Sequence, residues 1–362
     1  MRETRGAEAW PARGCFYRLV FAGKGGFILG IGLIIAKIRS SVEILLATHN
    51  GERYLRPLLD SLFAQSFVNF TVVIRDDCSQ DRTELIVADF AARHPGRIKV
   101  LPSPKRRSGA AANFAALIAA AEADFVFLCD QDDVWLPEKM AISFAAIRRL
   151  VEIHGPESPL LVHTDLAVVD AELELLGASL HEYAAFDPRR SSLRALLLGN
   201  VVTGCTIGAN RALYMSARPV PEEAVMYDHW LAQVAAALGE IEFVDEPTIL
   251  YRQHGRNVIG VQPAGVVRFL KSVQRTLLSS ATFSVLLGYS DQARIILERY
   301  NEGLEPRQRK AVAALATVWN VPRLRRYAHL RNAGLRKPSL FGKIALFLLL
   351  LRRRPTREWA RA

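Results

Sequence analysis

Five aspartates stand just after apolar, strand-like runs, where carboxylates can hold a hard cation. Asp76 and Asp77 follow Phe70–Ile74 (FTVVI), and Asp130, Asp132 and Asp133 follow Phe125–Cys129 (FVFLC). Thr48, His49, Asn50, Gly51 and Glu52 follow a third run, Val42–Ala47 (VEILLA). Gathered on one edge, five acids repel one another, and a divalent cation or donor groups on a ligand relieve that repulsion. An Asp-x-Asp at a strand terminus supplies oxygen ligands for Mg²⁺ or Mn²⁺, and the cation then grips a diphosphate. Acidic pairs also cap helices, so the pair alone says little. The apolar run before it, with Trp135 and Pro137 after it, makes the signal stronger.

These residues meet only if the runs are neighbouring strands of one sheet. In an open parallel sheet, ligands bind at the carboxyl ends of the strands. Between the runs lie helical spacings. Tyr54–Gln65 repeats its apolar residues every three to four positions, and Asp81-Arg-Thr-Glu84 reads as a capping box for a helix ending near His94. Ile98–Leu101 is a further strand and Ala110–Ala121 an Ala-rich helix. Such strand–helix alternation predicts an α/β fold with a doubly wound, mostly parallel sheet. Beyond Leu160 the pattern is mixed, with strands near 160–164, 205–209, 241–244 and 248–252 and a helix over Asp228–Leu238. Past Gly260 it reads as successive helices punctuated by Pro263, Pro306, Pro322 and Pro338. The expected organisation is an N-terminal extension (1–40), a catalytic domain (41–260) and a basic helical C-terminal region (261–362).

Charge supports this division. The chain of 362 residues carries a formal +11, distributed as +5 over residues 1–40, −9 over 41–260 and +15 over 261–362. A nucleic-acid binder would carry its positive charge on the ordered domain; here the middle is acidic and the ends are basic, which suits contact between the extension and an anionic surface. Cys15, Cys78, Cys129 and Cys205 are too scattered for a zinc ribbon, a redox pair or a disulfide framework, and imply a reducing compartment. No run reaches the roughly 18 apolar residues of a membrane span. Gly25–Ala36 is short and Gly-rich, and lacks the cleavage site of a secretory signal. Ile344–Leu351 (IALFLLLL), between Lys343 and the arginines at 352, 353, 354 and 357, fits a helix lying in a membrane interface.

Val42–Thr83, Phe125–Met140 (FVFLCDQDDVWLPEKM), Asn200–Leu213 (NVVTGCTIGANRAL), Tyr227–Ala232 (YDHWLA) and Glu246–Gly260 (EPTILYRQHGRNVIG) together resemble the family 2, GT-A-fold glycosyltransferases, in particular a bacterial rhamnosyltransferase-like branch. The resemblance spans roughly residues 42–260. It implies that Thr48, Asn50 and Glu52 line a nucleotide pocket, that Asp76 accepts the N3–H of a uracil or thymine, and that Asp77 lies alongside. It places Asp130 and Asp132 on the metal and the sugar-nucleotide diphosphate, with Asp133 in support and His254 as third metal ligand. Arg252 and Arg256 would meet phosphate oxygens. Asp228 matches the catalytic base, and one base with one face of attack implies inversion. His163 and Asp165, after a later strand, and His229, beside Asp228, are candidates to face the acceptor.

The expected activity is transfer of a sugar, rhamnose by resemblance, from a dTDP- or UDP-sugar to a glycan or lipid-linked acceptor in cell-surface polysaccharide synthesis. The expected cofactor is Mg²⁺ or Mn²⁺. The expected partners include a membrane surface, met through the basic C-terminal helices, and no nucleic acid; the expected location is cytoplasmic, peripheral on the inner face of a bacterial membrane. A non-catalytic, membrane-associated sugar-nucleotide scaffold would share these ligands. A pyrophosphorylase would need a Gly-rich basic loop where His49-Asn-Gly-Glu52 stands, and a dehydrogenase needs G-x-G-x-x-G after its first strand. Gly23, Gly25 and Gly26 precede that strand. A receiver-like phospho-acceptor module would use Asp76, Asp77 and Asp130 but have no need of Asp132 or Asp228.

Overall fold

Strand β1 (Val42–Thr48) is buried along almost its whole length because helices cover both faces of the sheet it centres, which is why its sequence is continuously apolar. The computed structural model describes residues 40–255 and 280–353. The features noted at Cys15, Gly25–Ala36, Arg256, Pro263, Arg354 and Arg357 lie outside the described residues.

From β1 the chain runs through α1 (Leu55–Phe63), β2 (Thr71–Asp76), α2 (Thr83–Arg93), β3 (Ile98–Leu101), α3 (Ala110–Ala120), β4 (Phe125–Asp130) and β5 (Val134–Trp135). It continues as α4 (Lys139–His154), β6 (Leu160–Val169), β7 (Leu175–Gly177), α5 (Leu180–Tyr183), α6 (Leu193–Leu196), β8 (Gly208–Asn210), α7 (Arg211–Ser216), α8 (Tyr227–Leu238) and β9 (Glu240–Arg252). Four helices follow after residue 279: α9 (Ser280–Tyr300), α10 (Pro306–Ala316), α11 (Arg323–Asn332) and α12 (Leu340–Leu350). The strand order is β3-β2-β1-β4-β8-β6-β9-β5, with β7 on β6. Strands β3, β2, β1 and β4 are parallel, β8 runs antiparallel to both of its neighbours, and β6 and β9 are again parallel.

Alternation along the central strands divides the core in two. Ile44, Leu46, Val72, Ile74, Phe127 and Cys129 pack against α1, α2 and α4, while Leu45, Val73, Val126 and Leu128 pack against α3, α8 and the C-terminal helices. The C-terminal helices therefore share one core with the sheet. Gln292 of α9 donates to Gln233 of α8 across 2.6 Å, with both side chains buried.

Two local expectations need revision. The strands read at 241–244 and 248–252 are one strand, β9, whose pairing to β6 jumps at Asp245 and Glu246. Pro247 has no N–H to give the ladder, and the interruption falls beside it. Asp81 does not form a capping box. Its carboxylate accepts from the backbone and hydroxyl of Thr83, two residues on, and from the Glu52 N–H, as a local Asx-type turn does.

The junction from α8 to β9 is tight. A Cβ on Gly239 would overlap the carbonyl oxygen of Pro159, which itself accepts the Glu240 N–H at 3.1 Å. Backbone cannot yield as a side chain can, so Gly239→Ala is expected to lose about 2 kcal/mol of stability. Chemical denaturation of the two proteins checks this.

Candidate active site

The parallel register sets the first contacts. Thr48 pairs with Asp76 across β1 and β2, and Ala47 pairs with Asp130 across β1 and β4, so the ends of three adjacent strands face one edge. The Thr48 hydroxyl donates to Asp76 Oδ1 at 2.8 Å, and the Ser79 hydroxyl and N–H donate to Oδ1 and Oδ2 at 2.6 and 2.7 Å. Asp77 turns to the start of α3, accepting from the Ser108 N–H and hydroxyl and from the Gly109 N–H. Burial pushes its carboxyl up, but these donors outweigh burial and hold it below the usual carboxylate value.

Asn50 has a left-handed backbone (φ 47°) and ties the first loop to the second. Its N–H donates to Ser79 Oγ, and its Oδ1 accepts the Gln80 N–H. Glu52 pairs with Arg82 at 2.6 Å. Asn50 and Glu52 line an open groove of about 790 Å³ with Arg53, Arg56, Asp81 and Arg82. The loop after β4 is locked to the loop after β1 by Gln131, which accepts the His49 N–H and donates to the His49 carbonyl, each at 2.8 Å. Gly51 makes room for this, because a Cβ there would overlap the Gln131 side chain.

Beyond Gln131 the acids gather. Asp132 Oδ2 lies 2.8 Å from His254 Nε2. The His254 ring stacks on Tyr54 (centroids 4.9 Å apart), and the Arg252 guanidinium lies 4.6 Å from the Tyr54 centroid. Arg252 also donates from Nε to the Asp132 carbonyl and from its backbone to Asp133 Oδ1. Asp133 is fully buried, and among the described residues its Oδ2 has no hydrogen-bond partner. Ligand atoms of Asp130, Asp133 and Cys205 lie within 4.8 Å of one another.

Asp228, in the first turn of α8, is buried and accepts its neighbour's N–H (His229, 2.6 Å), the Gly204 N–H and the Asn200 side chain. Burial outweighs these donors and pushes its carboxyl up to about 7. Asp130 also rises to about 7, first through burial and then through repulsion from Asp132 and Asp228. Asp133 is pushed well above the usual range by burial and then by Asp132 and Asp130. These mutual effects mark Asp130, Asp132, Asp133 and Asp228 as one electrostatic group. The Tyr227 hydroxyl spans part of it, reaching Asp130 Oδ1 at 3.4 Å.

Other candidates lie elsewhere. His163 is buried against Phe243 (ring centroids 5.1 Å), and burial lowers it to about 3. Asp165 accepts the Leu180 N–H and groups with His181 and Asp245. His229 points into the interior, with Nε2 2.6 Å from the Leu196 carbonyl, and burial lowers it to about 4. The His163 and Asp165 side chains make their contacts elsewhere, and His229 meets Asp228 through its backbone N–H alone, its ring turned inward. Two residues that the strand-end reading missed do lie by the Asp130–Asp228 group: Cys205, and Lys139, whose fully buried ammonium sits 4.6 Å from the Trp135 ring centroid and feels both Cys205 and Asp133.

Residues 43–150 match the family model of glycosyl transferase family 2. The chain is 24% identical over 226 residues to the dTDP-rhamnosyl transferase RfbG of Shigella flexneri, covering 59% of this chain and 73% of that one. To an uncharacterized glycosyltransferase of Nostoc sp. it is 26% identical over 299 residues, covering 78% and 87%. An uncharacterized protein of Mycobacterium tuberculosis is 28% identical over 220 residues, and the match spans 60% of the length of each chain. The matched segment runs from β1 to α4 and so contains the strand ends that carry Thr48, Asp76, Asp130 and Asp132. The segment from β1 to α4 is therefore similar to glycosyl transferase family 2.

Proposed function

We propose that this protein moves a sugar from a dTDP- or UDP-sugar to a hydroxyl of a glycan or lipid-linked acceptor, with inversion, at the inner face of a bacterial membrane during cell-surface polysaccharide synthesis. The observation that carries the reading is the single group of four acids, with Asp228 held by donors that include His229, Gly204 and Asn200. A dTDP-rhamnose donor is favoured by the name of the Shigella relative.

Each side chain then has a task. Asp76, already accepting from Thr48 and Ser79, retains an acceptor site on Oδ2 for the imide N–H of a pyrimidine base. Asn50 and Glu52 shape the pocket wall through Ser79, Gln80 and Arg82. Asp77 acts through Ser108 and Gly109, fixing α3 beneath the nucleotide. Asp228 takes the proton of the acceptor hydroxyl as that oxygen attacks the anomeric carbon, and the N–H groups of His229 and Gly204 fix the direction in which it points.

A divalent cation, Mg²⁺ or Mn²⁺, fits the donor set. Asp133 Oδ2 is buried without a partner among the described residues, and the raised carboxyls are those a positive charge would relieve. Asp130 and Asp132 would hold it, with Asp133 in support and His254 at hand. Bound there, it would neutralise the charge that grows on the departing nucleoside diphosphate. Tyr54 and Arg252 keep His254 and the Asp132 loop in place.

A thermal-shift panel of nucleoside diphosphate sugars tests the assignment. At saturating concentration (about 100 times Kd, worth about 2.7 kcal/mol), dTDP- and UDP-sugars with Mn²⁺ are expected to raise Tm by about 5 °C. Guanine and adenine nucleotides are expected to raise it much less, and Asp76→Ala to remove the pyrimidine response. No response to any nucleotide would end this reading.

A further inference from the structure

Helix α12 buries one side and leaves the other apolar and bare. Leu346, Leu349 and Leu350 enter the core, whereas Leu340, Ile344, Phe347 and Leu348 are 36–71% exposed. Those four fall at i, i+4, i+7 and i+8, one continuous stripe of a helix. Leu324 of α11, 82% exposed, shares a shallow groove with Arg323, Arg325 and Leu351, the residue at the C-cap of α12. Arg326 makes the two helices one piece, its guanidinium donating to the carbonyls of Leu350 and Arg352 (each 3.0 Å) and of Trp319 (3.3 Å).

We propose that this face docks on an anionic lipid surface, with the stripe at acyl-chain level and Arg323, Arg325 and Arg353 at the headgroups; the inference rests on the reading of an acceptor held at a membrane. Charge selects the occupant. Positions 306–353 hold twelve Lys and Arg and no Asp or Glu. A second copy would set like charge against like, whereas anionic headgroups complement it. Eleven residues of helix cover about 16 Å, far less than the roughly 30 Å hydrocarbon core, and no helix among the described residues is long and apolar enough to cross a membrane. The helix therefore lies in the interface plane.

The docking face also connects to the base. Just before α12, Lys337 Nζ donates to the Leu198 carbonyl, two residues from Asn200, whose side chain holds Asp228. His229 and Gln233 of α8 both meet the Leu196 carbonyl in the same segment. The docking face is thus tied to the segment that positions Asp228.

Vesicle flotation of the full chain tests this, using phosphatidylcholine alone and with 30% phosphatidylglycerol (about one charge per three lipids, enough to set an appreciable surface potential). The wild type is expected to bind only the anionic vesicles, and to release at high salt. Binding should fall at least about tenfold in both I344S/F347S/L348S and R323E/R325E, while the exposed control Ile153→Ser on α4 binds normally. If the triple variant fails to fold, Leu324→Ser, which touches little core, replaces it and should still weaken binding. Unchanged binding in these variants, equal binding to neutral vesicles, or a wild-type dimer in gel filtration that I344S/F347S/L348S dissolves would overturn the proposal. Pyrimidine nucleotide binding, read by thermal shift in the same proteins, reports the donor site separately, so loss of one reading leaves the other standing.

Discussion

Asp228→Asn is expected to lower the rate of sugar transfer by about 10³-fold or more while leaving nucleotide affinity within about twofold. Asparagine keeps the size of the side chain and can still accept the N–H groups of His229 and Gly204 that hold Asp228. It cannot take a proton. With the base near 7, wild-type kcat/KM should rise with pH and level off above about 7.5, since a carboxylate works as base only once it has lost its proton. The measurement is initial-rate transfer in both proteins between pH 5.5 and 8.5. Full activity in the variant would remove Asp228 from the base role, and intact nucleotide binding with no transfer by the wild type would favour the scaffold reading.

The same substitution should make the protein more stable. In the unfolded chain this carboxyl loses its proton near 3.8, and in the folded chain near 7. The folded state therefore binds the proton more tightly. The stability this contributes is complete below pH 3.8 and is lost as pH rises to about 7. At 1.36 kcal/mol per unit the three-unit difference bounds the loss at about 4 kcal/mol, and local relaxation reduces it. Asp228→Asn is accordingly expected to gain about 1–2 kcal/mol at pH 8 and almost nothing at pH 4, as melting curves at the two values will reveal.

How far the sequence discloses such a site depends on how local each determinant is. The strand ends were legible because VEILLA, FTVVI and FVFLC are apolar on both faces, and residues that follow such strands must emerge at one edge. The commitment of Asp77 to Ser108 and Gly109 was not, since it joins residues more than thirty positions apart. His229 illustrates a second limit. Nearly every residue of α8 is buried, because α9 and α10 cover the side that the sheet leaves open. A helix sequence does not say how many of its faces will be covered, so proximity in sequence to Asp228 did not keep the His229 ring out of the interior. Cys205 meets Asp133 through the pairing of β4 with β8 and the turn before it, which no local pattern encodes, whereas Lys139 opens α4 a short step along the chain from Asp133. The interruption at Asp245 has a visible cause in Pro247, but its direction, toward Asp165 and His181, comes from the register between β6 and β9.

Mn²⁺ should bind this protein more tightly, and stabilise it more, at pH 8 than at pH 6. Cation ligands must be deprotonated, so binding to Asp130 and its neighbours releases whatever protons they hold. With Asp130 near 7, most of its proton remains at pH 6, and burial pushes Asp133 up as well. Displacing it weakens apparent affinity by up to about tenfold per pH unit below the carboxyl's own value. The apparent Kd at pH 6 is therefore expected to be at least about tenfold weaker than at pH 8, and the Mn²⁺-induced rise in Tm correspondingly smaller. Asp132→Ala removes a ligand and the partner of His254, and should abolish most of the Mn²⁺ response. Chelation should cut transfer by about 10²-fold or more, because no bound cation then offsets the charge growing on the departing diphosphate beside the acids. Calorimetry at the two pH values and transfer assays in chelator test the two halves independently. A pH-independent Kd would mean that the acids are already ionised without the metal, and undiminished transfer in chelator would mean that protein cations, Arg252 foremost, carry the leaving group's charge.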